Sequence, residues 1–174
     1  MILAIQDANI LIDLHKSGLL EAYFRLGIET HTTDLVLLEV RPSVAAYVLT
    51  GQLRVKTFTG TELAALVAFQ AQQPPSLSLE DCSVLHLALQ MPAILLTGDN
   101  KLRLHAEKAG VEAHGSLWLL DLMVEEAILD LSTAISCMEQ LMKTNPRLPM
   151  EECQKRLKLW AAGRRIAIHR PATS

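Results

Sequence analysis

Strand-like and helix-like runs alternate about five times between residues 2 and 116. That order predicts an α/β fold, a three-layer α/β/α sandwich around a central parallel sheet of about five strands. Ala93 to Thr97 is a continuous apolar run of the kind a strand covered on both faces carries. Beyond Gly115 the pattern turns purely helical, which adds C-terminal helices to the sandwich.

Residues 2 to 6 form a short apolar strand, and Ile10, Leu11, Leu14, Leu19, Leu20 and Phe24 then fall near helical spacing, as one helix or a pair broken at Gly18. Glu29 to Thr32 is a brief extended segment, and Thr33-Asp34 supplies the N-cap of a helix over Leu35 to Val40 that Pro42 is expected to stop or redirect. Leu53 to Phe58 alternates apolar and polar residues, the period of a half-buried strand. Thr61 is expected to cap a helix to about Ala71, ended by Pro74-Pro75, and Ser78 opens the next helix. After the Ala93 to Thr97 strand come a helix over Asn100 to Ala109, stopped by Gly110, and a last strand over Val111 to His114. Three helices close the chain at Leu117 to Glu126, Ser132 to Lys143 and Glu151 to Ala162. The expected organisation is an α/β unit over 1–116, a helical extension over 117–162 packed on it, and a basic tail over 163–174.

The 174 residues are 50% hydrophobic, enough for one core without disulfides or structural metal. Cys82, Cys137 and Cys153 are odd in number and unpaired in spacing, so they read as reduced thiols. The apolar start lacks a positive leader and a cleavage site, and acids or prolines interrupt every later apolar run short of the ~18 residues a membrane span needs. A cytoplasmic protein with no membrane partner is the expectation. The net charge of -3 hides an asymmetry. From Lys143 onward eight bases face only Glu151 and Glu152, so this arm is strongly basic and the body before it strongly acidic. Such a pair suits a cation-holding site beside a phosphate-attracting surface, and equally a solvated basic helix and tail.

In an open parallel sheet, ligands bind beyond the carboxyl ends of the strands. The residues there include Asp7, with Asn9 two further on, and Asp99, in Thr97-Gly98-Asp99. Two more acids lie near strand ends or helix starts, Glu39 and Asp81. Four converging carboxylates repel one another unless a divalent cation neutralises them, and an all-oxygen donor set selects Mg²⁺ or Mn²⁺ over zinc. Such a site suits metal-assisted phosphoryl transfer.

These residues resemble the PIN-domain nucleases, which include the toxin halves of VapBC-type toxin-antitoxin pairs. The resemblance covers roughly residues 1–116. Asp7-Ala8-Asn9-Ile10-Leu11-Ile12 is similar to the family's first motif, Glu39 after Thr32-Thr33-Asp34 to its second acid, Asp81 to its third and Thr97-Gly98-Asp99 to its fourth. The resemblance implies a PIN-like sandwich and a Mg²⁺- or Mn²⁺-dependent ribonuclease, commonly a homodimer. It also implies that Asp7, Glu39, Asp81 and Asp99 hold the metal while Asn9 and Thr97 orient carboxylates or water. An RNA substrate and a possible antitoxin partner follow from the same likeness. The chain departs from the family at Gln90-Met91-Pro92, where a glycine is usual, and in its three extra helices, which resemble a longer PIN subgroup.

Each residue also has a plainer reading. Asp7 can simply cap the following helix, Ser78 and Asp81 have the spacing of a capping box, and Glu80 is the neighbour that replaces Asp81 if the register slips by one. Asp34 reads as a cap and Asp13 as a helix-face acid. His15, His86, His105 and His114 lack metal-ligand spacing. Lys101, Arg103 and Lys108 form either an RNA-contacting or a solvated face, and Trp118 reads as core or dimer contact rather than a stacking platform. The competing class is a catalytically silent PIN-fold module that binds RNA or acts as a scaffold. A haloacid-dehalogenase-like phosphatase would want an acid where Asn9 stands, a nucleotide-binding P-loop or Rossmann turn is missing, and no partnered Ser or Cys nucleophile is present.

Overall fold

The computed structural model describes residues 2–169 and 171. Arg170 and residues 172–174 of the expected basic tail, and Met1, lie outside the described residues. Five strands, β1 (Leu3–Gln6), β2 (Glu29–Thr33), β3 (Leu53–Lys56), β4 (Ile94–Leu96) and β5 (Ala113–His114), form one sheet in the order β3-β2-β1-β4-β5. Every pairing is parallel. Among the described residues nine helices complete the α/β sandwich: α1 (Ala8–Lys16), α2 (Leu20–Phe24), α3 (Asp34–Leu49), α4 (Gly60–Gln70), α5 (Leu79–Gln90), α6 (Asn100–Lys108), α7 (Ser116–Glu125), α8 (Leu131–Thr144) and α9 (Met150–Ala161).

The strand order makes the chain step outward from β1 through β2 to β3, then return to the other side of β1 for β4. The sheet therefore reverses its direction of growth between β1 and β4, the switch point beyond whose carboxyl edge open parallel sheets bind ligands. In-register pairing of Gln6 with Leu96 brings the residues that follow the two strands side by side. The amide of Asp7 extends the ladder by one bond to the Leu96 carbonyl, at 3.0 Å.

Local chemistry explains the elements and corrects two expectations. Ile10, Leu11 and Leu14 bury one face of α1, and Gly18, at φ +71°, turns the chain into α2. Pro42 does not stop α3, which runs through it to Leu49. The proline removes the donor that the Leu38 carbonyl would accept, but both residues lie on the exposed face, where water replaces the bond. Thr59, not Thr61, caps α4, because Glu62 three residues later completes a reciprocal capping box. Ser78 caps α5 in the same way with Asp81.

The core is continuous from the sheet into the last helices. Ile5, Leu95 and Leu96 are sealed in the sheet, and Trp160 of α9 is among the largest fully buried side chains. α7 and α8 pack on α1. Asp13, read from sequence as a helix-face acid, is buried and accepts from Ser116 Oγ and Asn145 Nδ2, both at 2.8 Å. Arg156 of α9 makes a bidentate pair with the buried Asp121 of α7 and reaches Glu152 as well. The three cysteines are free thiols. Among the described residues no helix is long and apolar enough to cross a membrane.

Candidate active site

Asp7, the N-cap of α1, is buried just beyond the end of β1, beside the end of β4. One carboxylate oxygen accepts from the Ala8 amide at 2.7 Å, and the other from Asn9 Nδ2 at 2.5 Å and from Thr97 Oγ1 at 2.8 Å. Asn9 and Thr97 also join the two strand ends. Gly98 donates its amide to Asn9 Oδ1 at 2.6 Å, and Asp99 donates its amide to Thr97 Oγ1 at 3.0 Å. A Cβ on Gly98 would stand 3.0 Å from Asn9 Oδ1, so the missing side chain permits this close approach.

Asp99 caps α6, one carboxylate oxygen accepting from the amides of Lys101 and Leu102. Asp81 sits in the first turn of α5 with one oxygen on the Ser78 amide at 2.8 Å. The plain capping geometry is thus present at Asp7, Asp81 and Asp99. It leaves Asp81 Oδ1 and Asp99 Oδ2 without a hydrogen bond among the described residues.

Electrostatics link the three acids. Burial pushes the Asp7 carboxyl up to about 6, the charge of Asp81 acts in the same direction, and the bonds from Thr97, Ala8 and Asn9 oppose them. Burial also raises Asp81, reinforced by the charges of Asp99 and Glu80 and opposed by the Ser78 bonds. Among the described residues no lysine or arginine forms an ion pair with Asp7, Asp81 or Asp99. Their charge is offset locally by amides at the helix starts and, at Asp7, by the Thr97 hydroxyl and the Asn9 amide group.

Glu39 lies exposed in the second turn of α3 and makes no hydrogen bond or ion pair among the described residues. It shares no hydrogen bond with Asp7, Asp81 or Asp99 among the described residues. Glu80 is half-buried, its backbone carbonyl accepting from Ser83 Oγ, whose hydroxyl also bonds Thr33 and ties α5 to the end of β2. Thr33 caps α3, and Asp34 instead accepts from the Phe58 amide, leaving Oδ1 buried without a partner. Among the described residues no three His, Cys, Asp or Glu side chains stand close enough together to form a ready-made cation site. Each acid is held toward its own helix start.

Arg103 corrects the reading of α6 as a simple basic face. It turns inward, Nη2 donating to the Thr97 carbonyl at 3.0 Å, while Lys101 and Lys108 are exposed. A Cβ at Gly115 would stand 2.5 Å from that Nη2 atom. Neither the Arg103–Gly115 fit nor the Asp13 clamp has a local motif, so spacing alone passes over both.

A PIN domain family model matches residues 3–162. The chain belongs to the PIN domain family. The match runs through the α/β part of this PIN domain and the three helices after it. PIN domains are generally divalent-metal-dependent nucleases that act on RNA. Among curated proteins none matches. One similar solved structure is a PilT N-terminus domain protein from the hyperthermophilic archaeon Sulfolobus solfataricus P2, 15% identical, covering 71% of this chain and 92% of that one with a TM-score of 0.45.

Proposed function

We propose that this PIN domain is a Mg²⁺- or Mn²⁺-dependent endoribonuclease whose site is the crevice between β1 and β4. The observation that carries the reading is that the charge of Asp81 acts on the buried Asp7 and that of Asp99 on Asp81, with no basic ion-pair partner for any of the three among the described residues. An all-oxygen set without protein countercharge fits a hard divalent cation. Asp7, Asp81 and Asp99 would hold the ion, with Glu39 as the fourth acid reached from α3. When bound, the ion supplies a water that is nucleophilic at neutral pH and offsets charge on the phosphodiester.

The chain's own residues prepare that chemistry. Thr97 and Asn9 fix the Asp7 carboxylate in one rotamer, and the Lys101 and Leu102 amides fix Asp99. Residues 1–116 form the catalytic unit, 117–162 a helical extension packed on the same domain, and 163–174 a basic tail. The protein acts as a cytoplasmic homodimer and as the toxin of a toxin-antitoxin pair, silenced by an antitoxin that covers the crevice or inserts a basic group into it. A monomer at micromolar concentration by sedimentation would refute the dimer.

A second reading, a catalytically silent RNA-binding or scaffolding module, draws on the observation that the three central acids also serve as helix caps. The deciding experiment incubates a mixed RNA pool with the purified protein in Mg²⁺, Mn²⁺ or chelator, alongside Asp99→Asn. Cleavage that needs the metal and vanishes in the variant supports the nuclease. Equal inertness of both proteins, with no change in melting temperature on adding Mn²⁺, favours the silent module.

A further inference from the structure

A cavity of about 360 Å³ opens beside Asp99. It is lined by Gly98, Asn100 and Arg103, by the β5–α7 turn, and by the loop joining α8 to α9 with the start of α9. Three arginines line it, but they are not equivalent. Arg156 is bonded to Asp121 and Glu152, which also occupies the charge of Glu152, the one carboxylate on the wall. Arg103 and Arg147 have no acidic partner among the described residues.

Arg103 is pre-positioned. Its guanidinium is bonded to the Thr97 carbonyl and passes over Gly115 where a Cβ would block it, and its Nε is buried without an acceptor among the described residues. His114 and Trp118 also line the cavity, their half-buried rings stacked on each other at 4.1 Å with an interplanar angle of 17° and the Trp118 Nε1 donating to the His169 carbonyl at 3.1 Å. Trp118 therefore belongs to the cavity wall as well as to the edge of the core. Two unpaired guanidinium groups and a flat aromatic wall match the two halves of a nucleotide, its phosphate and its base. The volume lies at the small end of the ~300–1,000 Å³ usual for ligand sites, which suits one nucleotide and excludes a duplex.

We infer that this cavity binds one unpaired nucleotide of an RNA strand, its phosphate on Arg103 and Arg147 and its base against the His114–Trp118 pair. The inference rests on the nuclease reading in one respect, that the next phosphodiester of the same strand lies in the carboxylate crevice. It assigns a task to the helical extension, which contributes Arg147 and part of the lining: to select single-stranded RNA and set the position of the cut.

The test is a titration of the full chain, in chelator so that nothing is cleaved, with mixed-sequence single-stranded oligoribonucleotides of about eight nucleotides. Tryptophan emission reports Trp118, because the chain's other tryptophan, Trp160, is sealed in the core. Binding should change the emission. Arg147→Ala, an exposed position, should weaken it about five- to tenfold at low salt and reduce the slope of log affinity against log salt by about 0.7. Followed by the anisotropy of an end-labelled oligoribonucleotide, since these variants lack the reporting ring, Trp118→Ala should weaken binding about tenfold or more, with Trp118→Phe keeping most of the affinity. The inference is overturned if single strands leave the emission unchanged, if duplex RNA binds equally well, or if Arg147→Ala leaves affinity and salt slope as they were. If RNA cleavage fails while this binding holds, the nuclease reading falls and the nucleotide site stands. Cleavage that Arg147→Ala leaves unchanged in KM and cut position removes the nucleotide site alone.

Discussion

Thr97 and Asp7, ninety residues apart in the chain, are joined by a 2.8 Å hydrogen bond in which the buried hydroxyl donates to the carboxylate. The same hydroxyl accepts from the Asp99 amide, so one side chain sets the positions of two acids. Thr97→Val keeps the shape and removes both bonds. It should cost about 1–3 kcal/mol of stability, the usual result of stranding buried polar groups. Because the Thr97 bond lowers the Asp7 pKa, its loss should also move the acid limb of the cleavage profile to higher pH. A pH–rate profile of the two proteins checks this, and an unshifted limb would separate Asp7 ionisation from turnover.

Asp7 itself makes stability depend on pH. Its carboxyl titrates near its ordinary 3.8 when unfolded and at about 6 when folded. Between those values the native state holds more protons, so stability rises as pH falls through 6 and the gain is complete below 3.8. The whole span amounts to about 3 kcal/mol. In chelator, wild type should gain that much relative to Asp7→Asn between pH 7.5 and pH 3.5, measured by urea denaturation. A difference that stays flat across the range would be incompatible with a buried, uncompensated Asp7.

Asp13 clamps the helical extension to α1 through Ser116 and Asn145. Asp13→Ala strands both donors and should cost about 2–4 kcal/mol, with Asp13→Asn costing less. Amide hydrogen exchange should quicken in α7 and α8 before it does in β1 or β4. Uniform quickening across the chain would show that the clamp supports the whole core instead of one seam.

Gly115→Ala tests how closely Arg103 is held. The backbone there is extended, at φ -118°, so alanine is tolerated locally and stability should change by less than about 1 kcal/mol. The added carbon displaces the Arg103 guanidinium from the Thr97 carbonyl. RNA cleavage should therefore fall severalfold in a protein whose thermal midpoint is nearly unchanged. Full activity would show that the Arg103 contact is dispensable.

The alternation of strands and helices, the buried β4 segment and the capping box of Ser78 with Asp81 are local features, decided by periodicity and by backbone donors within three residues, and they were legible before any folding, whereas the cap that Asp99 gives α6 was not read from the sequence. The PIN resemblance was legible too, because its acids stand at strand ends and helix starts that local patterning can locate. The passage of α3 through Pro42 was not legible, since it depends on which face of the helix meets water. Nor was the burial of Asp13, whose partners lie 103 and 132 residues away in the chain. The same holds within the site: spacing could nominate Asp7, Glu39, Asp81 and Asp99 alike, but the β1–β4 pairing and the Thr97 hydroxyl link Asp7 to Asp99, the charge of Asp81 acts on the buried Asp7, and Glu39 lies on an exposed turn. Local order follows from neighbours in the chain, whereas convergence depends on strand order and burial, which only the tertiary structure decides.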